Sequence, residues 1–464
     1  MTTRIRARST SSRWRLLDAV LYENKAQTRT LDDRAVLARL IERLGVAIDA
    51  ELWLALAVMT NQLPRHDEVI AWRRRVALEG PSALLALRPA ALDARRSVEV
   101  VVGGVLVDAH HTSRTDLATG IQRVTRSVLD QWQRSRSVDI VRWRKGYRAL
   151  TAMGGRHRHD LVVPWNSTYV LAELSVEPDR LDRLHALAEF SANTTCAIGF
   201  DCVPLTVPET AARGMRGAFA RYLATVARFD RIAAISDAAA VEYRGWRRML
   251  AAAGITGPSI RAVALAHDEL ALVSELDARS ELNLSDEPIV LCVGSSEPRK
   301  NHLAVLHAAE LAWRRGVVFQ LVFVGGNAWS SDRFRHRVAE LQDAGRAISN
   351  HERLSDEQVA ALYRAAEVTL FPSLHEGFGL PVVESLSVGT PVITSNYGSM
   401  LASGDPGAEF VDPRDDRSIA EALVRILTDE AHRERLVRAA EGRSPRTWAD
   451  YSDELWNYVV EARS

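Results

Sequence analysis

Short runs rich in valine and isoleucine alternate with helical stretches along most of this chain, and the alternation occurs twice. The runs at 98–108, 161–171, 194–203 and 231–236 leave by short polar exits, with helical stretches at 120–132, 208–228 and 237–250 between them. A polar segment at 267–287 follows, closed by Pro288. The alternation then restarts at 289–293 and continues through 319–324, 368–371 and 391–394, with helices at 301–314, 356–366 and 380–388. Strands joined through helices pair in parallel, in a sheet covered on both faces. The chain is therefore expected to hold two open α/β units joined by a linker. Ligands in such sheets bind beyond the carboxyl ends of the strands, so two facing units make one cleft.

The flanks read differently. Residues 1–97 have the pattern of a helical extension. Leu37, Leu40, Ile41 and Leu44 repeat at i, i+3, i+4 and i+7, with Thr30 placed to cap the start and Gly45 the end. Leu52 to Met59 forms a second apolar stretch, and Val69, Trp72 and Val76 mark a third helix stopped by Gly80-Pro81. At the other end, Trp448, Tyr451, Leu455, Trp456 and Val459 share one helix face, which predicts docking onto the first α/β unit. The expected divisions are 1–97, 98–266, a linker at 267–287, 288–445, and a returning helix at 446–464.

Charge and cysteine usage narrow the class. Lys plus Arg and Asp plus Glu each number 59, so no global field draws the chain to nucleic acid. Cys196, Cys202 and Cys292 are odd in number and lack metal-ligand spacing, which reads as reduced core cysteine in a cytoplasmic protein. The longest apolar runs fall short of the roughly 20 residues of a membrane span, and no signal peptide is expected. Arg4, Arg6, Arg8, Arg13 and Arg15 surround Trp14 with no acid before Asp18. A basic tail of this kind can touch anionic lipid, which predicts peripheral contact at the inner membrane face.

The stretch that carries chemistry is Phe371-Pro-Ser-Leu-His-Glu-Gly-Phe-Gly-Leu-Pro-Val-Val-Glu384. A strand ends at Phe371, a glycine-containing loop follows, and a helix begins near Leu380. The amides of Gly377, Phe378, Gly379 and Leu380 approach a helix N-terminus, which favours an anion such as a diphosphate. The glycines let the backbone approach phosphate oxygens without a Cβ in the way. Glu376 in the loop can face the cleft, and Glu384, one turn into the helix, can accept hydrogen bonds from vicinal ribose hydroxyls.

These residues resemble the E-x7-E signature of the family 4 retaining glycosyltransferases, which have the GT-B fold of two facing Rossmann-like domains. The similarity runs from about residue 105 onward. It includes Val293-Gly-Ser-Ser-Glu-Pro-Arg-Lys-Asn301, Leu354-Ser-Asp-Glu with Leu362-Tyr-Arg-Ala-Ala366, and Gly389-Thr-Pro-Val-Ile393. In the first unit, Thr119-Gly-Ile-Gln-Arg-Val-Thr-Arg126 resembles the glycine loop of bacterial O-antigen and capsule mannosyltransferases. The resemblance implies that Glu376 contacts the transferred hexose and Glu384 the ribose. It implies that Lys300 and Arg299 neutralise the departing diphosphate, with Gly120 letting the first unit's loop approach the phosphates.

Two positions depart from the family pattern. Ser295 stands where many members have an arginine after the Val-Gly strand end, and Arg299 can compensate. Phe200-Asp201 replaces a His-Asp pair, which makes Asp201 the acceptor-side candidate. The histidine's role then falls to His110 or His111 after the first strand. No Asp-x-Asp occurs, so no metal and no cofactor are expected. The implied activity moves a hexose from a nucleotide diphosphate sugar to a glycan or lipid-linked acceptor with retention of configuration. GDP-mannose is the first donor candidate and a UDP- or dTDP-sugar the next. A nucleotide-sugar epimerase of the same architecture and a non-catalytic scaffold subunit are the alternatives.

Overall fold

The computed structural model describes every residue except 1, 47, 90–95, 116–118, 154–159, 267–277, 327–330 and 463–464. The first sheet contains β1 (Thr3–Ala7), β2 (Val98–Val102), β3 (Val105–Asp108), β4 (Asp139–Trp143) and β5 (Leu150–Ala152). It continues with β6 (Leu161–Trp165), β7 (Thr168–Leu171), β8 (Thr194–Gly199), β9 (Arg231–Ala234) and β10 (Ser259–Ala262). Their order is β1-β2-β6-β5-β4-β3-β7-β8-β9-β10, and the block from β4 to β10 through β3, β7, β8 and β9 is parallel throughout.

The runs at 98–108 and 161–171, expected as single strands, are each broken into two. Gly103 turns the first at φ 66° and Asn166 the second at φ 45°. A Cβ on Gly104 would lie 2.8 Å from the Val101 side chain, so the chain passes too close there for any other residue. The halves then pair in register, Val98–Val102 with Leu161–Trp165 and Val105–Asp108 with Thr168–Leu171.

The second sheet comprises β11 (Ile289–Val293), β12 (Gln320–Val324), β13 (Ile348–His351), β14 (Val368–Phe371), β15 (Val392–Ser395) and β16 (Ala408–Val411). All its pairings are parallel, in the order β13-β12-β11-β14-β15-β16. This is the 3-2-1-4-5-6 arrangement of a doubly wound sheet, whose order reverses between β11 and β14. β12 and β14 are buried at every position, as strands covered on both faces must be. Of the expected linker, 267–277 lies outside the described residues. Ala278–Glu281 is a helical turn, and Ala278 packs with Ile289 and Leu291 in the second unit's core.

The extension is not purely helical, and its basic start is not a tail. β1 pairs antiparallel with β2, from Thr3 opposite Val102 to Ala7 opposite Val98. Arg4 pairs with Asp139, Arg6 with Glu99 at 3.0 Å, and Arg15 with Asp33 at 2.7 Å. Arg13 is buried and donates to the carbonyls of Val58 and Met59 at 3.2 Å each, while Trp14 is buried beside it. Four of the five cations expected to reach lipid are thus spent on carboxylates and carbonyls of the fold. Asp32, not Thr30, caps helix Asp33–Gly45, because its carboxylate is the one that reaches the Ala35 amide.

The extension, the first sheet and the last helix share one apolar core running from Ala7 to Val459. Helix Trp448–Trp456 packs against the first unit. Trp132 donates through Nε1 to the Ser452 carbonyl at 3.0 Å, and its ring meets Trp456 edge-on. All three cysteines are buried and free. Among the described residues, no helix is long and apolar enough to cross a membrane.

Candidate active site

The loop from Phe371 to helix Leu380–Ser387 leaves the carboxyl end of β14, beside the point where the strand order reverses. Gly379 takes φ 97° to turn the chain into that helix, a conformation side chains resist. At Gly377 the two units come into close approach. A Cβ there would lie 2.6 Å from the Phe200 carbonyl and 3.2 Å from Asp201 Cβ. The space is filled by the first unit, and the Ser236 hydroxyl donates to the Gly377 carbonyl. Glycine at 377 brings the two units together.

Glu376 is buried between two cations. Oε1 accepts from Lys300 Nζ at 2.8 Å and from the Ser373 hydroxyl at 2.7 Å, while Oε2 pairs with Arg299. Burial pushes the carboxyl up, but Arg299 and Lys300 outweigh it and hold the group at about 2. It is an anion at every physiological pH. Arg299 also pairs with Glu297 at 2.7 Å and donates to the His375 carbonyl at 2.8 Å, so its guanidinium is fixed in orientation.

Glu384 is buried in the helix and meets the opposite unit. One oxygen pairs with Arg123, from helix Gly120–Ser135, and the other accepts from the Tyr363 hydroxyl at 2.9 Å. Thr119 caps that helix by accepting from the Gln122 amide, with Gln122 reaching back to the Thr119 amide. A Cβ on Gly120 would come within 4.0 Å of Leu380, so this helix start faces the loop of the second unit.

Of the acceptor-side candidates, Asp201 lies against Gly377, its Oδ1 accepting from the Val203 amide at 3.1 Å. Burial raises its pKa, and the charge of Arg299 opposes the rise. His110 is fully buried; its Nδ1 accepts from the Trp143 amide at 3.1 Å, and burial with the nearby Arg180 lowers it to about 4. The ring is therefore neutral at pH 7. His111 is half-exposed, and its hydrogen bond to Glu177 at 2.7 Å raises its pKa. Behind both histidines, Arg180 is buried between Asp108 at 2.9 Å and Glu173 at 3.2 Å. His110 and His111 sit beyond β3, and Asp201 beyond β8, at one end of the sheet.

The geometry adds residues that sequence reasoning passed over. Ser373 and His375 lie inside the quoted motif, and His375 pairs with Glu242 of the first unit. Arg123 lies inside the quoted Thr119–Arg126 stretch, where its arginine after a helix-capping box was a visible signal. Tyr363 lies in the quoted Leu362–Ala366 stretch. Glu242 carries no such signal. Among the described residues the one grouping arranged like metal ligands is His66, His185 and Glu189, on helices His66–Glu79 and Pro178–Phe190. The residues around Glu376 and Glu384 are not so arranged.

Residues 274–443 match the family model of glycosyl transferases group 1. The serotype-specific mannosyltransferase WbdA of Escherichia coli is 27% identical over 334 residues, covering 65% of this chain and 40% of that protein. The O-antigen chain mannosyltransferase B of Escherichia coli is 32% identical over 161 residues, covering 34% of this chain and 42% of that protein. The chain thus spans about two fifths of the length of these relatives. Among solved structures, sucrose-phosphate synthase from Thermosynechococcus elongatus superposes with a TM-score of 0.53 at 19% identity, over 77% of this chain and 96% of that one. The fold is GT-B, and the chain resembles O-antigen mannosyltransferases.

Proposed function

On a GT-B fold that carries a glycosyl transferases group 1 match over residues 274–443, we propose that this chain transfers a hexose from a nucleotide diphosphate sugar to a glycan or lipid-linked acceptor. The observation that carries the reading is the pair of buried carboxylates on one strand–loop–helix. Glu376 is gripped by Lys300 and Arg299, and Glu384 faces the first unit through Arg123. Two cations beside the loop suit a departing diphosphate, which they stabilise electrostatically without a metal. Glu384 offers a charged acceptor to ribose hydroxyls. Glu376 offers one to the hexose, and Asp201 stands on the acceptor side.

The donor in this reading is GDP-mannose, supported by the likeness to proteins named as mannosyltransferases. The configuration at the transferred carbon is retained, as the E-x7-E resemblance implies. The test offers GDP-mannose, UDP-glucose, UDP-N-acetylglucosamine and dTDP-rhamnose at equal concentration, following transfer or hydrolysis and reading the product anomer by proton NMR. Turnover of GDP-mannose to an α-linked product is the expected result. Preference for another base would replace the donor, an inverted anomer would remove the retaining mechanism, and no turnover of any donor would sink the transferase reading. Isomerisation of donor incubated alone would mark an epimerase.

A further inference from the structure

We infer that the first unit carries an anion-binding pocket beside the histidine pair, built to hold a phosphoryl group on the acceptor. A cavity of about 420 Å³ is lined by Arg96, Arg114, Arg142, Arg144 and Lys145, with Trp143 in its wall. No aspartate or glutamate lines it among the described residues. Among the described residues Arg142 and Lys145 make no ion pair, and Arg114 meets the imidazole of His110 at 3.3 Å. Cations gathered round one cavity repel each other, and an anion between them removes that cost. Several guanidinium forks match phosphate oxygens in geometry as well as charge.

The placement fits an acceptor. Arg142, Arg144 and Lys145 stand at the carboxyl end of β4, and Arg114 follows β3, the end of the sheet from which Asp201 projects after β8. The order β4-β3-β7-β8 separates the pocket from Asp201 by three strand spacings, about 14 Å. A phosphoryl group held there belongs to an acceptor whose anion is remote from the hydroxyl that reacts. Behind the pocket wall, Asp108 accepts from Trp143 Nε1 at 2.7 Å, and Asp108 and Glu173 are both paired with the buried Arg180, so their charge is met there.

The pocket's anion binding stands on its own; only the identification of its ligand as the acceptor rests on the transferase reading. The experiment is isothermal titration of the full chain with inorganic pyrophosphate at low salt, for wild type and for Arg142→Glu/Lys145→Glu. Arg142→Gln/Lys145→Gln serves as the milder pair should charge reversal unfold the protein, which circular dichroism reports. Nucleoside diphosphate binding is measured in parallel, because pyrophosphate can also enter the donor site. The expected result is a salt-sensitive pyrophosphate site that weakens at least tenfold in either double variant, with nucleoside diphosphate affinity unchanged. Pyrophosphate binding that is unaltered in both variants overturns the pocket. Loss of nucleotide binding in wild type, with the pyrophosphate site present, overturns the transferase reading and leaves the pocket standing. Competition by a hexose 6-phosphate against a detergent-dispersed polyprenyl diphosphate assigns the source: the stronger competitor carries the phosphoryl group. Competition by neither overturns the acceptor assignment.

Discussion

Glu376→Gln separates the structural from the chemical role of the buried carboxylate. The substituted side chain keeps its length and its bond to Ser373, but the negative charge facing Arg299 and Lys300 is gone. Those cations bring the carboxyl from its ordinary 4.5 down to about 2 against the opposing effect of burial. That shift corresponds to a stabilisation on the order of 3 kcal/mol. The folded value lies below the unfolded one, so the contribution is complete at neutral pH and is lost as pH falls from 4.5 through about 2. Glu376→Gln should therefore destabilise the unliganded protein by about 3 kcal/mol, in line with breaking other buried pairs. For a unit of 150–250 residues this lowers the melting temperature by roughly 6–12 °C. Bound diphosphate brings new negative charge to the same two cations, which the variant no longer shares with a carboxylate. Nucleoside diphosphate should bind the variant about tenfold more tightly while turnover falls by roughly 10²–10³. Differential scanning fluorimetry with and without nucleotide, titration calorimetry and single-turnover kinetics read the three quantities separately. A variant that melts with wild type, or that loses nucleotide affinity along with stability, would refute the claim that Arg299 and Lys300 serve both carboxylate and diphosphate.

Glu384→Ala should raise donor KM by roughly 10- to 150-fold with a smaller effect on kcat, since a charged acceptor of two hydroxyls is removed; donor saturation curves check it. Activity should survive EDTA, given the missing Asp-x-Asp and the cations at 299 and 300; an absolute requirement for added magnesium or manganese in the transfer assay would contradict this. Deleting residues 1–15 removes β1, the buried Arg13 and Trp14, so the truncated chain should be several kcal/mol less stable or fail to fold. Thermal melting measures that loss, and a stable, fully active truncate would show that the strand is dispensable.

What could be read from the sequence was what is local. β11 is an unbroken apolar run, β12 and β14 are each broken by one polar residue (Gln320 and Thr369), and the strand, glycine loop and helix from Phe371 to Ser387 lie within a single short stretch. Residue types there fix both the backbone and the chemistry. β1 was hidden for the opposite reason. Thr3, Ile5 and Ala7 do alternate with Arg4 and Arg6, but five residues of alternation are a weak signal ahead of a long helical pattern. Arginine on an edge strand also looks like a tail until Glu99 and Asp139 are seen beside it. The break at Gly103 and Gly104 is a matter of close approach to Val101, which no periodicity announces.

The contacts between the units could not be read at all, and they change how the motif works. Arg123 meets Glu384 across 261 residues, and Ser236 meets Gly377 across 141. Each oxygen of Glu384 already has a partner, Arg123 or Tyr363, and each oxygen of Glu376 has one among Arg299, Lys300 and Ser373. On the proposed reading, donor binding at this site is therefore an exchange of partners and not the filling of empty ones. The free energy that counts is the difference between two sets of charged contacts, which is smaller than either set alone. Arg123 stands at the centre of that exchange, because it belongs to the first unit and its carboxylate partner to the second. In the proposed reading, a ribose that takes its place on Glu384 frees a guanidinium on the first unit, with Asp356 the other carboxylate whose charge acts on it. The arginine inside the Thr119–Arg126 stretch thus ties occupancy of the donor site to the position of the first unit.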